Sequence, residues 1–127
     1  MKYLLDTHTF IWHALEDARL SGSALEFIES DQDLYISYAS IWEMAIKMQR
    51  GRLQLKKSLP EFIESIVQAN QYQLLEIKTS HLYPIANLPY HHKNPFDRLI
   101  IAQGMEEEMT IITKDEAFKS YEVNVLW

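Results

Sequence analysis

The sequence predicts an α/β fold: a three-layer α/β/α sandwich around a central, mostly parallel sheet of four to five strands. Short apolar runs alternate with helical patterns along the whole chain. The connections between these runs are long enough to hold the crossover helices that parallel strands require. With 127 residues, the chain is expected to form a single domain over residues 1–127 and to bury a sizeable core.

Each predicted strand is a short apolar run bounded by polar residues. The first run stops at Asp6, and the fourth is apolar throughout, as expected for a strand that is buried on both faces. The last run is expected at an edge of the sheet. The predicted strands are residues 2–5, 33–36, 74–77, 109–112 and 123–126.

The predicted helices fill the intervals between the strands. Ser37 and Thr79 are suitable N-caps for two of them, and Gly51 is a suitable stop for the helix that Ser37 begins. In the second helix, Leu25 and Ile28 have the spacing of an inner face. The predicted helices are residues 7–14, 21–29, 38–50, 61–70, 79–86, 95–103 and 117–121.

The stretch 94–103 combines a strong helix start with an apolar helix. Asn94 is a good N-cap, and Pro95 fits the first helical position, where its missing N–H costs nothing. The residues that follow are largely apolar, so this helix is expected to lie inside the core. Asp97 then sits near the positive end of the helix dipole, either as a functional carboxylate or merely as a cap.

Composition excludes several classes of protein. The chain has no cysteine, which leaves no disulfide, thiolate metal site or cysteine nucleophile and suits a reducing cytoplasm. No apolar run approaches the roughly 18 residues of a membrane span, and Asp6 interrupts the first apolar run, so neither a membrane segment nor a signal peptide is expected. The net charge of −6 disfavours general nucleic-acid binding, so such a function needs a local basic patch, a metal or both.

Four acidic residues are expected to meet at one edge of the sheet. Asp6 and Asp115 follow predicted strands, and Glu43 lies on the helix after the second strand. Parallel strands have their carboxyl ends on the same side, and a right-handed crossover begins the helix of Asp97 near that side. A purely structural interpretation exists for Asp6, Glu43 and Asp97, and for the segment around Asp115. Asp6 can cap a helix, Glu43 can form an exposed ion pair with Lys47, and Asp115 lies within a capping box of Thr113 and Glu116 that does not need it.

Carboxylates in such proximity predict a divalent cation. Like charges a few ångströms apart raise one another's pKa and destabilise the fold unless a cation compensates. Mg²⁺ and Mn²⁺ prefer oxygen ligands, and two such ions about 4 Å apart can activate water for attack on phosphorus. This chemistry cuts a phosphodiester without a serine or cysteine nucleophile or a glycine-rich phosphate loop, and none of these is evident.

Basic residues are concentrated between residues 47 and 57. Lys47, Arg50 and Arg52 are candidates for contact with the phosphates of a nucleic acid, although a solvated loop is the alternative for this segment. The adjacent His91 and His92 lack further spaced partners for a zinc site, and His8 and His13 are expected as packing or surface residues.

The chain resembles PIN-domain proteins, and within them the VapC-type ribonuclease toxins of bacterial and archaeal toxin–antitoxin pairs. The resemblance rests on residues 4–8 (LLDTH), 36–47 (with IWEMAIK), 94–99 (NPFDRL) and 113–118 (TKDEAF), which occur in the family's order and span nearly the whole chain. Asn94 replaces the Asp that this branch often carries, so no fifth acid is expected there.

The resemblance implies a role for each acid. Asp6 and Asp97 would bind the metal directly, and Glu43 and Asp115 would complete its shell directly or through water. Thr113 and Thr7 would lie next to the acids without binding the metal directly. Arg98 and Lys47 would contact phosphate, unless they form ion pairs with a neighbouring acid and with Glu43.

The resemblance further implies cleavage of RNA with Mg²⁺ or Mn²⁺, leaving a 5′-phosphate and a 3′-hydroxyl. It also implies a homodimer that is silenced by a cognate antitoxin in the cytoplasm. Two other functions remain open. A PIN-like fold with a degenerate site would act as a binding module, which the presence of all four acids disfavours. A small Mg²⁺-dependent phosphoryl-transfer domain would want two adjacent acids after the first strand, where Asp6 is followed by Thr7.

Overall fold

The computed structural model describes residues 1–127 and contains one five-stranded sheet with the strand order β3-β2-β1-β4-β5. Every neighbouring pair of strands is parallel, so the predicted α/β class with a mostly parallel sheet is confirmed. The last strand lies at an edge of the sheet, as predicted. The strands are β1 (Lys2–Leu5), β2 (Asp33–Ser37), β3 (Gln73–Leu75), β4 (Thr110–Ile112) and β5 (Val125–Leu126).

Helices follow the first four strands and cover both faces of the sheet. The predicted caps at Asp6, Ser37 and Asn94 are all present, since each side chain accepts from backbone amides of the helix that it begins. The helices are α1 (Thr7–Ala14), α2 (Gly22–Ile28), α3 (Tyr38–Gln49), α4 (Leu59–Asn70), α5 (Thr79–Leu82) and α6 (Pro95–Glu106), with 3₁₀ helices at Tyr83–Asn87 and Glu116–Ser120. No helix is both long and apolar enough to cross a membrane.

Two hydrophobic clusters lie on opposite faces of the sheet. Successive residues of a strand point to opposite faces, so Leu5 belongs to one cluster and Leu4 to the other. The first cluster packs α1, α2 and α4 against the sheet through residues such as Phe10 and Phe62. The second packs α6 against the other face through residues such as Ile100. The result is the predicted three-layer sandwich.

The strand order reverses at β1, and this reversal positions the site. The chain leaves β1 for β2 on one side and returns to pair β4 on the other. In open parallel sheets, the crevice at the carboxyl ends of the strands next to such a reversal is the usual place for a ligand. Here the register sets Leu5 beside both Ile36 and Ile112, and the amide of Asp6 donates to the Ile112 carbonyl at 3.2 Å. The segments after β1, β2 and β4 therefore lie side by side.

Some local predictions were wrong. Leu25 is 38% exposed, because the inner face of α2 is defined by Ala24 and Ile28, four residues apart. Thr79 is the first residue of α5, and Lys78 occupies the cap position. That helix ends at Leu82, and the chain continues as a 3₁₀ helix to Asn87.

The packing of α6 on β4 yields a stability prediction. A Cβ at Gly104 would lie 2.8 Å from Cδ1 of Ile111 and 3.2 Å from Cγ2 of Val123. Ile111 is fully buried and has little room to move, so Gly104→Ala is expected to lower the free energy of unfolding by about 1–3 kcal/mol. Chemical denaturation measures this difference. Gly22→Ala is the matched control, since nothing lies within 4 Å of its added Cβ, and equal stability of the two variants would contradict the packing argument.

Candidate active site

Asp6 is held at the junction of β1 and α1 and is 3% exposed. One carboxylate oxygen, Oδ1, caps α1 by accepting from the amide of Thr9 at 2.9 Å. The other, Oδ2, accepts from the Thr113 hydroxyl at 2.6 Å. Burial raises the pKa of Asp6, and these hydrogen bonds oppose that rise. Thr113, which the resemblance places near Asp115, thus donates its hydroxyl hydrogen to Asp6.

Asp97 lies in the first turn of α6 and is 5% exposed. The side chain of Asn94 caps this helix, accepting from the amides of Phe96 at 2.8 Å and Asp97 at 3.3 Å. The alternative that Asp97 merely caps its helix is therefore wrong. Burial, together with the negative charges of Asp6, Glu43 and Asp115, raises the pKa of Asp97 to about 8. The negative charges of the three other acids therefore all act on the Asp97 carboxyl.

Glu43 is buried on α3 and faces the same cleft. Its predicted ion pair with Lys47 is present, with 3.6 Å between Nζ and Oε2. The expectation that this pair is exposed was wrong, because α3 packs against α6 and leaves Glu43 only 4% exposed. The second oxygen, Oε1, is buried and has no hydrogen-bond partner. A buried oxygen without a donor is costly unless a cation satisfies it.

Asp115 is the most exposed of the four acids. Its Oδ1 caps the 3₁₀ helix Glu116–Ser120 by accepting from the amide of Ala117 at 3.0 Å. Thr113 accepts from the Asp115 amide at 3.0 Å and donates to Asp6. The predicted capping box of Thr113 and Glu116 is thus wrong, because the bond to Asp6 orients the Thr113 hydroxyl towards β1.

His92 belongs to this site and was not predicted there. Its Nε2 lies 2.7 Å from Oδ2 of Asp115 and 3.2 Å from Oδ2 of Asp97. Ligand atoms of these three residues all lie within 4.8 Å of one another. The sequence contains one signal for this placement. His92 lies two residues before the N-cap of α6, so it must lie near the start of that helix. The cluster does not include the other histidines that the sequence analysis considered, which are His8, His13 and His91. His13 bonds the hydroxyl of Tyr72 at 2.6 Å.

Two predicted site residues serve other purposes. Thr7 is fully buried and donates to the Ser40 hydroxyl at 3.0 Å, which joins α1 to α3 rather than supporting an acid. Arg98 is 9% exposed, and its guanidinium donates to the carbonyls of Leu88 and Pro89 at 3.3 and 3.0 Å. Arg98 therefore holds the loop before α6, and it forms no ion pair with an acid.

The basic residues on and after α3 remain accessible. Lys47 is half-buried beside Glu43, and its Nζ lies 3.2 Å from Nε2 of His8. Arg50 and Arg52 are exposed just beyond the end of α3, and neither forms an ion pair. Glu43, Lys47 and Arg50 follow one another at helical spacing, so they lie on one face of α3. The charge on this face changes from negative at Glu43 to positive at Lys47 and Arg50.

The donor set suits a hard divalent cation. All four candidate ligands offer carboxylate oxygens, the chemistry that Mg²⁺ and Mn²⁺ prefer. The buried Oε1 of Glu43 has no hydrogen-bond donor, and burial with three neighbouring acids raises the pKa of Asp97, so a bound cation would stabilise the ionised form of both carboxylates. A cleft of about 260 Å³ opens at Asp6 and Asp115 and gives access from solvent.

A fully parallel sheet with buried carboxylates at its carboxyl edge defines a class of small α/β proteins with an acidic site. Within that class, the chain belongs to the PIN domain family, whose model matches residues 3–124. It is 29% identical over 119 residues to Ribonuclease VapC22 of Mycobacterium tuberculosis, covering 93% of this chain and 90% of the relative. The predicted resemblance is thereby confirmed.

Solved structures share the fold at low sequence identity. VapBC2 from Rickettsia felis, solved with a DNA fragment from its promoter, aligns with a TM-score of 0.76 at 14% identity over 99% of this chain and 98% of that chain. FitAcB from Neisseria gonorrhoeae aligns with a TM-score of 0.71 at 19% identity, over 98% and 96% of the two chains. These similarities confirm the PIN-like architecture.

The raised pKa of Asp97 predicts how stability depends on pH without metal. The carboxyl ionises near 3.8 when unfolded and near 8 when folded, so between these values the folded state binds more protons. The contribution of Asp97 to stability therefore falls as pH rises from about 4 to about 8. Asp97→Asn is expected to raise Tm in EDTA by about 5 °C at pH 8, with little difference near pH 4.

Thermal unfolding of both proteins across this pH range measures the effect. Glu26→Gln on the exposed side of α2 removes one negative charge without relieving the cluster, and is expected to leave Tm nearly unchanged. A stability difference between Asp97→Asn and the wild type that stayed constant from pH 4 to pH 8 would rule out ionisation of the buried Asp97 carboxyl, beside the other acids, as its cause.

Proposed function

We propose that this protein is a metal-dependent endoribonuclease and the toxin of a toxin–antitoxin pair. The observation that carries the proposal is the position of Asp6, Glu43, Asp97 and Asp115 near the carboxyl ends of neighbouring parallel strands, where burial and the three other charges raise the pKa of Asp97 to about 8. Membership of the PIN domain family and similarity to Ribonuclease VapC22 support ribonuclease activity. Since the site offers no thiol or activated serine, its chemistry rests on the carboxylates.

The four acids would hold the cation together. Asp6 and Asp97 would bind it directly, and Glu43 and Asp115 would complete its shell directly or through water. A bound Mg²⁺ or Mn²⁺ would supply an activated water and neutralise charge on the phosphate and its leaving oxygen. Thr113 keeps the Asp6 carboxylate in one orientation through its 2.6 Å hydrogen bond. The expected products carry a 5′-phosphate and a 3′-hydroxyl.

Lys47, Arg50 and Arg52 bind the RNA backbone beside the acids. A protein with a net charge of −6 repels RNA over most of its surface, so its attraction must be local. The exposed, unpaired Arg50 and Arg52 lie at the carboxyl end of α3, on a line that runs along this helix from Glu43 through Lys47 to Arg50. RNA lying along this line brings a phosphate towards the carboxylates.

The proposed partners are a cognate antitoxin and a second copy of the chain. Structures that share this fold include VapBC2 of Rickettsia felis and a toxin–antitoxin complex of Klebsiella pneumoniae. A protein that cuts cellular RNA acts where RNA is found, so the proposed location is the cytoplasm. The antitoxin silences the enzyme by covering the acidic site.

Cleavage of a pooled small-RNA substrate tests this function. Wild-type protein is expected to cut with Mg²⁺ or Mn²⁺, to stop in EDTA, and to leave 5′-phosphate ends. Asp6→Asn removes a ligand charge and is expected to lower the rate about 100-fold or more, since metal stabilisation of the transition state is worth several kcal/mol. Asp31→Asn makes the same chemical change in an exposed turn and is the matched control. Equal cleavage by Asp6→Asn and wild type would refute the site.

RNA binding at different salt concentrations tests the basic residues. Arg50→Ala with Arg52→Ala is expected to weaken binding and to reduce the slope of log K against log[salt] by about 1.4, because each lost phosphate contact on a single strand is worth about 0.7. Lys2→Ala should leave the slope unchanged, because Lys2 lies at the amino end of β1 and the acids lie at the carboxyl ends of the strands. A double variant with the wild-type slope would remove these arginines from the RNA path.

A further inference from the structure

Three sets of contacts orient the imidazole of His92. Its Nδ1 accepts from the backbone amide of Asn94 at 3.1 Å. Its Nε2 faces Oδ2 of Asp115 at 2.7 Å and Oδ2 of Asp97 at 3.2 Å. The ring packs edge-on against Phe118, with 5.6 Å between centroids and an interplanar angle of 89°. These contacts fix the orientation of the ring, and Nε2 is directed towards two acids of the proposed site.

The contact with Asn94 determines which ring nitrogen carries the proton. A backbone N–H can only donate, so Nδ1 must be the bare, accepting nitrogen. The hydrogen of the neutral ring is then on Nε2, where it donates to the carboxylates. In this tautomer, Nε2 has no free lone pair and cannot bind a metal. His92 thus contacts the acids as a hydrogen-bond donor.

The geometry points to His92 as a positioning residue that holds the carboxylates of Asp97 and Asp115 in a fixed arrangement for a divalent cation. The inference rests on the metal site of the proposed function and adds a residue to it. Asp97 belongs to α6 and Asp115 to the segment after β4, so no backbone element ties them together. A donor between them occupies one oxygen of each, Oδ2, and limits how the carboxylates rotate. Partners of this kind commonly change metal affinity 10- to 100-fold.

Contacts other than the imidazole also anchor the loop that carries His92. The hydroxyl of Tyr121 accepts from the backbone amides of both His91 and His92 at 2.9 Å. Arg98 donates to the carbonyls of Leu88 and Pro89 in the same loop. Truncating the imidazole removes its contacts with the acids, with Phe118 and with the Asn94 amide, while these other anchors remain.

Mn²⁺ binding to the intact protein, measured by titration calorimetry without RNA, tests the inference. His92→Ala is expected to weaken Mn²⁺ binding about tenfold. His92→Gln is expected to recover most of this loss, because its side-chain amide can place an N–H near the position of Nε2. His91→Ala is the matched control and should bind Mn²⁺ as the wild type does, since its ring packs on Tyr121 outside the acid cluster.

The outcomes separate this inference from the proposed function. Wild-type protein that fails to bind Mn²⁺ refutes the metal site and the role of His92 together. Wild-type binding with equal or tighter binding by His92→Ala refutes only the role of His92. A Gln variant as weak as the Ala variant also refutes it. Tm in EDTA should change little in His92→Ala; a large fall that accounts for the lost affinity would mean that the imidazole only supports the fold.

Discussion

Repulsion among buried carboxylates is the constraint on which the rest of this structure depends. Asp97 illustrates it, because burial and the charges of Asp6, Glu43 and Asp115 raise its pKa to about 8. Such groups stay together only if the elements that carry them cannot separate. Hydrophobic clusters on both faces of the sheet provide that rigidity, and β1 lies at the centre of the strand order. The packing of the core and the chemistry of the site are therefore coupled.

Two of the acids divide their contacts between a helix cap and a second group of the candidate site. Asp6 uses Oδ1 to cap α1 and directs Oδ2 to Thr113. Asp115 uses Oδ1 to cap a 3₁₀ helix and directs Oδ2 to His92. Capping fixes the rotation of the carboxylate, so the remaining oxygen has a defined direction. For these residues, the structural interpretation of the sequence and the functional one are compatible.

The basic residues near the site make different contacts, depending on how deeply each is buried. Arg98 is buried, and the carbonyls of the loop before α6 satisfy its guanidinium. Buried without those carbonyls, its charge would be strongly destabilising. Lys47 partly balances the charge of Glu43, while Arg50 and Arg52 are exposed and form no ion pair. The loop that Arg98 fastens presents His92 to the acids, so this arginine contributes to the site indirectly.

Local signals in the sequence determined the α/β class, the bounds of β1 and α1, and the starts of α3 and α6. These features depend on hydrophobic periodicity and on caps that act within a few residues, as at Asn94 and Pro95. The sequence also determined which acids follow the strands. Only the tertiary structure decided that His92 joins Asp97 and Asp115, that Thr7 bonds Ser40, and that Arg98 serves a loop. Side-chain partners far apart in the chain depend on how helices pack, and one residue's local pattern carries no information about which distant group will satisfy it.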